Sequence, residues 1–112
     1  MPLSEIETQT EPKRVKIGAA DELTPGASKI FVVGERKVSV FNIDGNLYAI
    51  EDRCPHRGAS LGKGTRDGFV VTCPLHKWEF DLRTGQCLGQ PGNELRRFEV
   101  FVGGDSLLLD LS

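Results

Sequence analysis

Two short segments of the chain hold both of its histidines and two of its three cysteines. The first segment contains Cys54 and His56, and the second contains Cys73 and His76, with sixteen residues between the two pairs. Thiolate sulfur and imidazole nitrogen are ligands for zinc, iron and copper, whereas calcium and magnesium prefer oxygen. A proline follows each cysteine and stiffens the backbone there. The spacing therefore predicts a transition-metal site.

A single tetrahedral zinc ion is one candidate for the bound metal. Two cysteines and two histidines form a common zinc site. Zinc fingers, however, usually pair cysteine with cysteine and histidine with histidine, whereas each segment here is mixed. A zinc-stabilised interaction module remains an alternative at this point.

Short β-strands are the elements that must position the two segments. Apolar residues come in brief runs separated by turn signals, which is typical of an all-β protein. Asp44-Gly45 lies between two runs and predicts a two-residue type I′ hairpin; Asp67-Gly68 and Gly103-Gly104-Asp105 are similar signals. Each candidate metal segment directly follows a predicted strand. The strands are predicted at 15–17, 29–33, 37–43, 46–50, 69–72, 78–80, 86–88, 98–102 and 106–111.

The predicted fold is a small antiparallel sandwich or barrel with a loop-built lobe that carries the metal. This lobe is expected at about residues 52–92, where glycine and proline are frequent. Residues 1–12 lack apolar periodicity and are expected to form a flexible leader. Residues 13–112 are then expected to form a single domain.

Composition and charge exclude several classes of function. The net charge of −2 lacks the basic excess of a general nucleic-acid binder. Since no apolar stretch is long enough to cross a bilayer, we expect a cytoplasmic protein without membrane contact. Three cysteines cannot form a complete disulfide framework. With both histidines assigned to metal, none is left for acid–base catalysis, so the chain is not expected to be an enzyme.

The two segments resemble the two cluster-binding boxes of the Rieske [2Fe–2S] family. They read Cys54-Pro-His-Arg-Gly-Ala-Ser-Leu and Cys73-Pro-Leu-His-Lys-Trp-Glu-Phe-Asp-Leu-Arg-Thr-Gly. The resemblance implies a Rieske-like fold holding one [2Fe–2S] cluster. It also implies that Cys54 and Cys73 bind one iron, while His56 and His76 bind the other.

The function implied by this resemblance is that of a soluble Rieske ferredoxin, a monomeric one-electron carrier. Its partners would be a flavoprotein reductase, linked to NAD(P)H, and a terminal oxygenase such as an aromatic-ring dioxygenase. The small subunit of an NADH-dependent nitrite reductase has a similar domain and is the alternative. Many such subunits lack the complete ligand set, so the intact set here favours the ferredoxin.

Residues near the two boxes predict a low redox potential within the family. High-potential members carry an extra cysteine in each box and hydroxyl donors to the cluster sulfurs. The matching positions here are Ala59 and Leu75 for the cysteines, and Trp78 and Phe80 for the hydroxyls. Because none of these can donate an O–H hydrogen bond, the reduced cluster is less stabilised.

Four further positions near the boxes carry expectations. Lys77 stands where the family usually has glycine. We expect it to adopt an ordinary φ and to point into solvent, and the alternative is a strained residue or a slightly shifted loop. Cys87 is expected to pack as a small hydrophobe. Gln90-Pro91-Gly92 is expected to cover the cluster as a third loop. Asp52 is expected only as a negative charge beneath a rim of positive ones.

Overall fold

Antiparallel strands form two sheets in the computed structural model, which describes residues 14–54, 59–75, 77–89 and 92–111. The strands are β1 (Arg14–Ala19), β2 (Ser28–Val33), β3 (Arg36–Ile43), β4 (Asn46–Glu51), β5 (Thr65–Asp67), β6 (Val70–Thr72), β7 (Glu79–Asp81), β8 (Cys87–Leu88), β9 (Arg97–Gly103) and β10 (Ser106–Asp110). Two single-turn 3₁₀ helices lie at Ala20–Glu22 and Leu61–Lys63. The predicted all-β class is confirmed.

The larger sheet has six strands in the order β1-β10-β9-β4-β3-β2. Its neighbours are all antiparallel, and the two end strands contact each other, so the sheet is nearly closed. The smaller sheet has the order β5-β6-β7-β8 and is also antiparallel. It occupies the part of the chain predicted as a loop-built lobe, which is therefore more regular than expected.

Two-residue turns join several of the strands. Asp44 and Gly45 have φ values of 54° and 92°, as a type I′ turn between β3 and β4 requires, so that hairpin is confirmed. The turn predicted at Asp67-Gly68 is shifted by one residue. Asp67 pairs with Val70, so the turn consists of Gly68 and the residue after it.

β5 is a strand that the sequence analysis did not predict. Its residues, Thr-Arg-Asp, contain no apolar side chain, so the alternation that marks a half-buried strand is missing. The strand is formed because β6 offers it a complete register from Thr65 opposite Thr72 to Asp67 opposite Val70. Pairing with a neighbour has overridden the weak local preference.

β3 contributes to both hydrophobic cores. Val38 and Val40 belong to a core enclosed by the large sheet, whereas Phe41 and Ile43 belong to a second core shared with the small sheet. Residues 38–43 are all buried, which explains why this strand is apolar on both faces. The second core also contains Cys54 and Cys73. The candidate metal-binding segments are thus attached to the packed interior.

Two expectations about chain organisation remain predictions. The predicted leader at 1–12 lies outside the described residues, and the domain boundary that follows from it is untested. Within the described ranges, no helix is long and apolar enough to cross a membrane.

Candidate metal centre

The thiols of Cys54 and Cys73 are neighbours in the same buried core. Cys54 lies shortly after the end of β4, and Cys73 directly follows β6. Both side chains are fully buried, and neither forms a disulfide. The fold therefore brings together two cysteines that are nineteen positions apart in the sequence.

Each of these cysteines closes its own loop through its backbone. The N–H of Cys54 donates to the carbonyl of Ala59 at 2.9 Å, and the N–H of Cys73 donates to the carbonyl of Trp78 at 2.8 Å. Both loops therefore return to the cysteine from which they start.

Asp52 anchors the first loop to the rest of the molecule. Its carboxylate accepts hydrogen bonds from Ser39 Oγ, Ser60 Oγ and the Gly62 N–H, each at 2.6 Å. Its own N–H donates to the carbonyl of Lys37 on β3 at 2.8 Å. The loop that carries Cys54 is thus tied at both ends, to β3 and to the 3₁₀ helix that follows it.

Sequence analysis missed this anchoring role of Asp52. The residue is buried rather than part of an exposed charged surface. The sequence contains one signal, which is that Ser39 interrupts an otherwise apolar run. A hydroxyl buried in a core needs a hydrogen-bond partner, so a polar residue is expected nearby. Nothing in the sequence identifies that partner as a residue thirteen positions later.

Two aromatic side chains that follow the second loop in the sequence pack in or against the core. Phe80 on β7 is fully buried in the core that contains both cysteines, and Trp78 packs against the same core. Cys87, which pairs with Phe80 across β7 and β8, is also buried, as expected. Leu75 lies outside this core and is about half exposed, at 49%.

Burial raises the pKa of the Cys73 thiol above its ordinary value. A hydrogen bond from the Leu75 backbone lowers this pKa, the neighbouring Cys54 thiol raises it, and the positive charge of Lys77 lowers it. The net upward shift favours a neutral thiol in the metal-free chain. Since only thiolate binds metal, loading of the site must release protons.

Lys77 adopts a left-handed backbone conformation, with φ at 59°. The expectation of an ordinary φ at this position is therefore wrong, although the residue is exposed as expected. The physical reason is the short loop between Cys73 and Trp78, whose closing hydrogen bond requires a reversal of the chain before residue 78. A side chain at such a φ is strained, whereas glycine would not be.

The other two candidate ligands, His56 and His76, lie outside the described residues, as do Gln90 and Pro91 of the expected third loop. The described half of the site can be tested for its fit to an iron–sulfur cluster. Two buried, adjacent and unbridged thiols supply the sulfur donors that one iron of such a cluster needs. The residues present therefore fit that group.

A family model for the Rieske [2Fe-2S] domain matches residues 13–99 of the chain. The chain belongs to this family. The biphenyl dioxygenase ferredoxin subunit of Pseudomonas sp. (strain KKS102) is 36% identical to it over 99 residues, covering 87% of this chain and 91% of the relative.

Solved structures show the same Rieske fold. The ferredoxin of carbazole 1,9a-dioxygenase from Nocardioides aromaticivorans IC177 matches with a TM-score of 0.80 at 30% identity, over 88% of this chain and 98% of that one. A chain in a complex of reduced oxygenase and oxidized ferredoxin of carbazole 1,9a-dioxygenase matches with a TM-score of 0.78 at 33% identity, over 89% of this chain and 94% of that one. A putative nitrite reductase NADPH small subunit matches with a TM-score of 0.73 at 28% identity, over 87% of this chain and 97% of that one.

Membership of the Rieske family identifies the cofactor as one [2Fe–2S] cluster, which decides against the single zinc ion. The biphenyl dioxygenase relative and the carbazole dioxygenase match are ferredoxins, and this chain is likewise an electron carrier rather than an enzyme. The predicted fold, cofactor and class of function are confirmed.

Proposed function

We propose that this Rieske protein passes single electrons from a flavin-containing, NAD(P)H-linked reductase to a terminal oxygenase, such as an aromatic-ring dioxygenase, in the cytoplasm. The proposal is supported by the relatives, which are named as ferredoxin subunits of dioxygenases, and by the complex of a similar ferredoxin with its oxygenase. The observation that carries it is the pair of buried, unbridged thiols that two strand-supported loops bring into contact.

Four residues are proposed as the cluster ligands. Cys54 and Cys73 would bind one iron through sulfur, and His56 and His76 would bind the other through ring nitrogen. The buried thiol pair supports the first half of this assignment. The second half rests on the position of each histidine, which follows its cysteine within the same short segment.

When bound, the cluster supplies a centre that accepts and releases one electron at a time. The residues of the chain hold that centre in place and limit its contact with water. The core around Cys54 and Cys73 excludes solvent from the two sulfur ligands. Asp52 fixes the position of the first loop through its three hydrogen bonds. A rigid site changes little on reduction, which favours fast electron transfer.

Ligand analysis provides the first test of the proposal. The purified protein should contain two irons and two acid-labile sulfides per chain, and Cys54→Ser or Cys73→Ser should abolish the cluster absorbance. Cys87→Ser is the matched control, because Cys87 is also buried but lies outside the proposed ligand set. Loss of the cluster in the Cys87 variant alone, or its retention in His56→Ala and His76→Ala, would contradict the assignment.

Reconstitution tests the proposed function itself. The holoprotein is mixed with NADH, a flavin reductase and the oxygenase component of a ring-hydroxylating system, and product formation is measured. We expect hydroxylation to depend on the concentration of the Rieske protein and to be absent with Cys73→Ser. A reducible holoprotein that supports no hydroxylation with any oxygenase component tried would contradict the proposal.

The small subunit of a nitrite reductase is the second candidate, favoured by the structural match to the putative small subunit. The two candidates differ in the protein that receives the electron. Co-purification with a sirohaem-containing reductase, together with stimulation of its nitrite reduction, would favour this alternative over the oxygenase.

A further inference from the structure

Lys77 and Asp44 are the two residues other than glycine with positive φ in the described part of the chain. Asp44 has a local reason, because it lies in a type I′ turn and its short polar side chain tolerates this conformation. Lys77 has a long side chain that forms no such local interaction. The chain thus retains a lysine where glycine would relieve the strain. Strained residues of this kind are concentrated at functional sites. The Lys77 side chain is therefore a candidate for a functional role.

The side chain of Lys77 supplies an exposed positive charge that has no ion-pair partner among the described residues. Within the described ranges, the ion pairs closer than 4 Å are Lys29 with Glu22 and Arg83 with Asp81. Lys77 takes part in neither pair. Its charge is held near Cys73, because the hydrogen bond from the Cys73 N–H to the Trp78 carbonyl closes the chain segment that contains Lys77.

A loop tip fixes the position of this charge. The hydrogen bond from the Cys73 N–H to the Trp78 carbonyl closes the loop over Lys77. Cys73 lies in the core and Trp78 packs against it, so both ends of this short segment are anchored beside the thiol pair. A positive charge held near a redox centre favours the state that carries one more electron.

We propose that Lys77 sets the redox potential of this Rieske protein by stabilising the reduced state with its charge, at the cost of backbone strain. This inference rests on the proposed electron-carrier function and deepens it. Its effect opposes that of Trp78 and Phe80, which offer no hydroxyl hydrogen bond to the cluster. Charge and strain make separate contributions at the same residue, so substitutions can separate them.

Three substitutions at this position test the two contributions. Lys77→Arg keeps both the charge and the strain, Lys77→Gln removes only the charge, and Lys77→Gly removes both. Lys16→Gln is the control for an exposed lysine on β1, outside the two loops. The midpoint potential of each holoprotein is measured by voltammetry at low and at high salt, and stability is measured by urea unfolding.

The expected results differ between the two measurements. Removing the charge should disfavour reduction about threefold at low salt, which is about 28 mV at 59 mV per tenfold. The midpoint potential should therefore drop in both Lys77→Gln and Lys77→Gly. The drop should shrink toward 1 M salt, because charges are screened there. The Lys77→Arg variant and the Lys16→Gln control should keep the midpoint potential of the wild type. Only the Gly variant should gain stability, by roughly twofold to fivefold in the folding equilibrium.

Two outcomes would overturn the inference. One is a Gln variant with the same potential as the wild type at low salt. The other is a drop confined to the Gly variant, which would indicate a change of loop geometry instead. Failure of the electron-carrier function would give a different result. The wild-type holoprotein would be reversibly reduced but would transfer no electrons to a partner protein.

Discussion

Replacing Asp52 tests whether a buried carboxylate fixes the position of the first ligand loop. In Asp52→Ala, three donors lose an acceptor to which they donate at 2.6 Å. Ser60 and Gly62 are partly exposed and can turn to water, but Ser39 is fully buried and its hydroxyl stays unsatisfied. Hydrogen bonds to a charged group contribute about 1.5–3 kcal/mol each. With partial compensation by water, we expect a loss of about 3–4 kcal/mol in the free energy of unfolding.

Asp52→Asn should cost about 1–2 kcal/mol, because it keeps one acceptor oxygen but loses the charge and replaces the other acceptor with an amide NH₂ donor. Urea unfolding measures both variants, followed by circular dichroism for the sheets and by visible absorbance for the cluster. Asp67→Asn is the control for an exposed acid on β5. We also expect faster cluster loss in Asp52→Ala, since Asp52 ties down the loop of Cys54. A variant within 0.5 kcal/mol of the control, with unchanged cluster lifetime, would refute the anchoring role.

Three further outcomes are expected. The pKa of Asp81 is lowered by its hydrogen bonds from Arg83, so its carboxylate stabilises the fold above its usual pKa of about 3.9. Asp81→Asn should therefore be less stable than wild type at pH 7, and acid titration should show the difference shrinking as the pH falls below about 4. Gly64→Ala places a methyl group in steric clash with the Thr72 carbonyl oxygen, so thermal unfolding should reveal a loss of about 3 kcal/mol or more, whereas a neutral effect would exclude this close approach. Voltammetry should place the midpoint potential in the lower part of the range of about −150 to +300 mV known for Rieske centres, and a value above about +150 mV would contradict the argument from missing hydroxyl donors.

The positions of most strands along the chain, and of the two cysteines beside them, were accessible from the sequence because both depend on local patterns. The apolar run in β3 and the Asp44-Gly45 turn after it needed no knowledge of distant residues. The positions of Cys54 and Cys73 just after predicted strands followed in the same way. β5 was missed because it has no apolar residue of its own, and its existence depends on the edge that β6 presents.

The supports of the site were less accessible because they depend on distance in space. Asp52 and Ser39 are each unremarkable in the sequence, and their hydrogen bond exists only because the loop after β4 folds back on β3. The φ of Lys77 is likewise set by where Cys73 and Trp78 are held. A residue's type did not predict a conformation that the surrounding core imposes on it.

The placement of the two thiols in the second core links these observations. Since Cys54 and Cys73 pack among apolar side chains, their positions are determined by the same contacts that join the small sheet to the large one. Asp52 and Lys77 lie close to these two cysteines, Asp52 through hydrogen bonds that anchor the loop after β4 and Lys77 in the loop that follows Cys73. For this reason changes in their charge should alter cluster lifetime and potential separately, Asp52 through the position of the loop and Lys77 through its electric field.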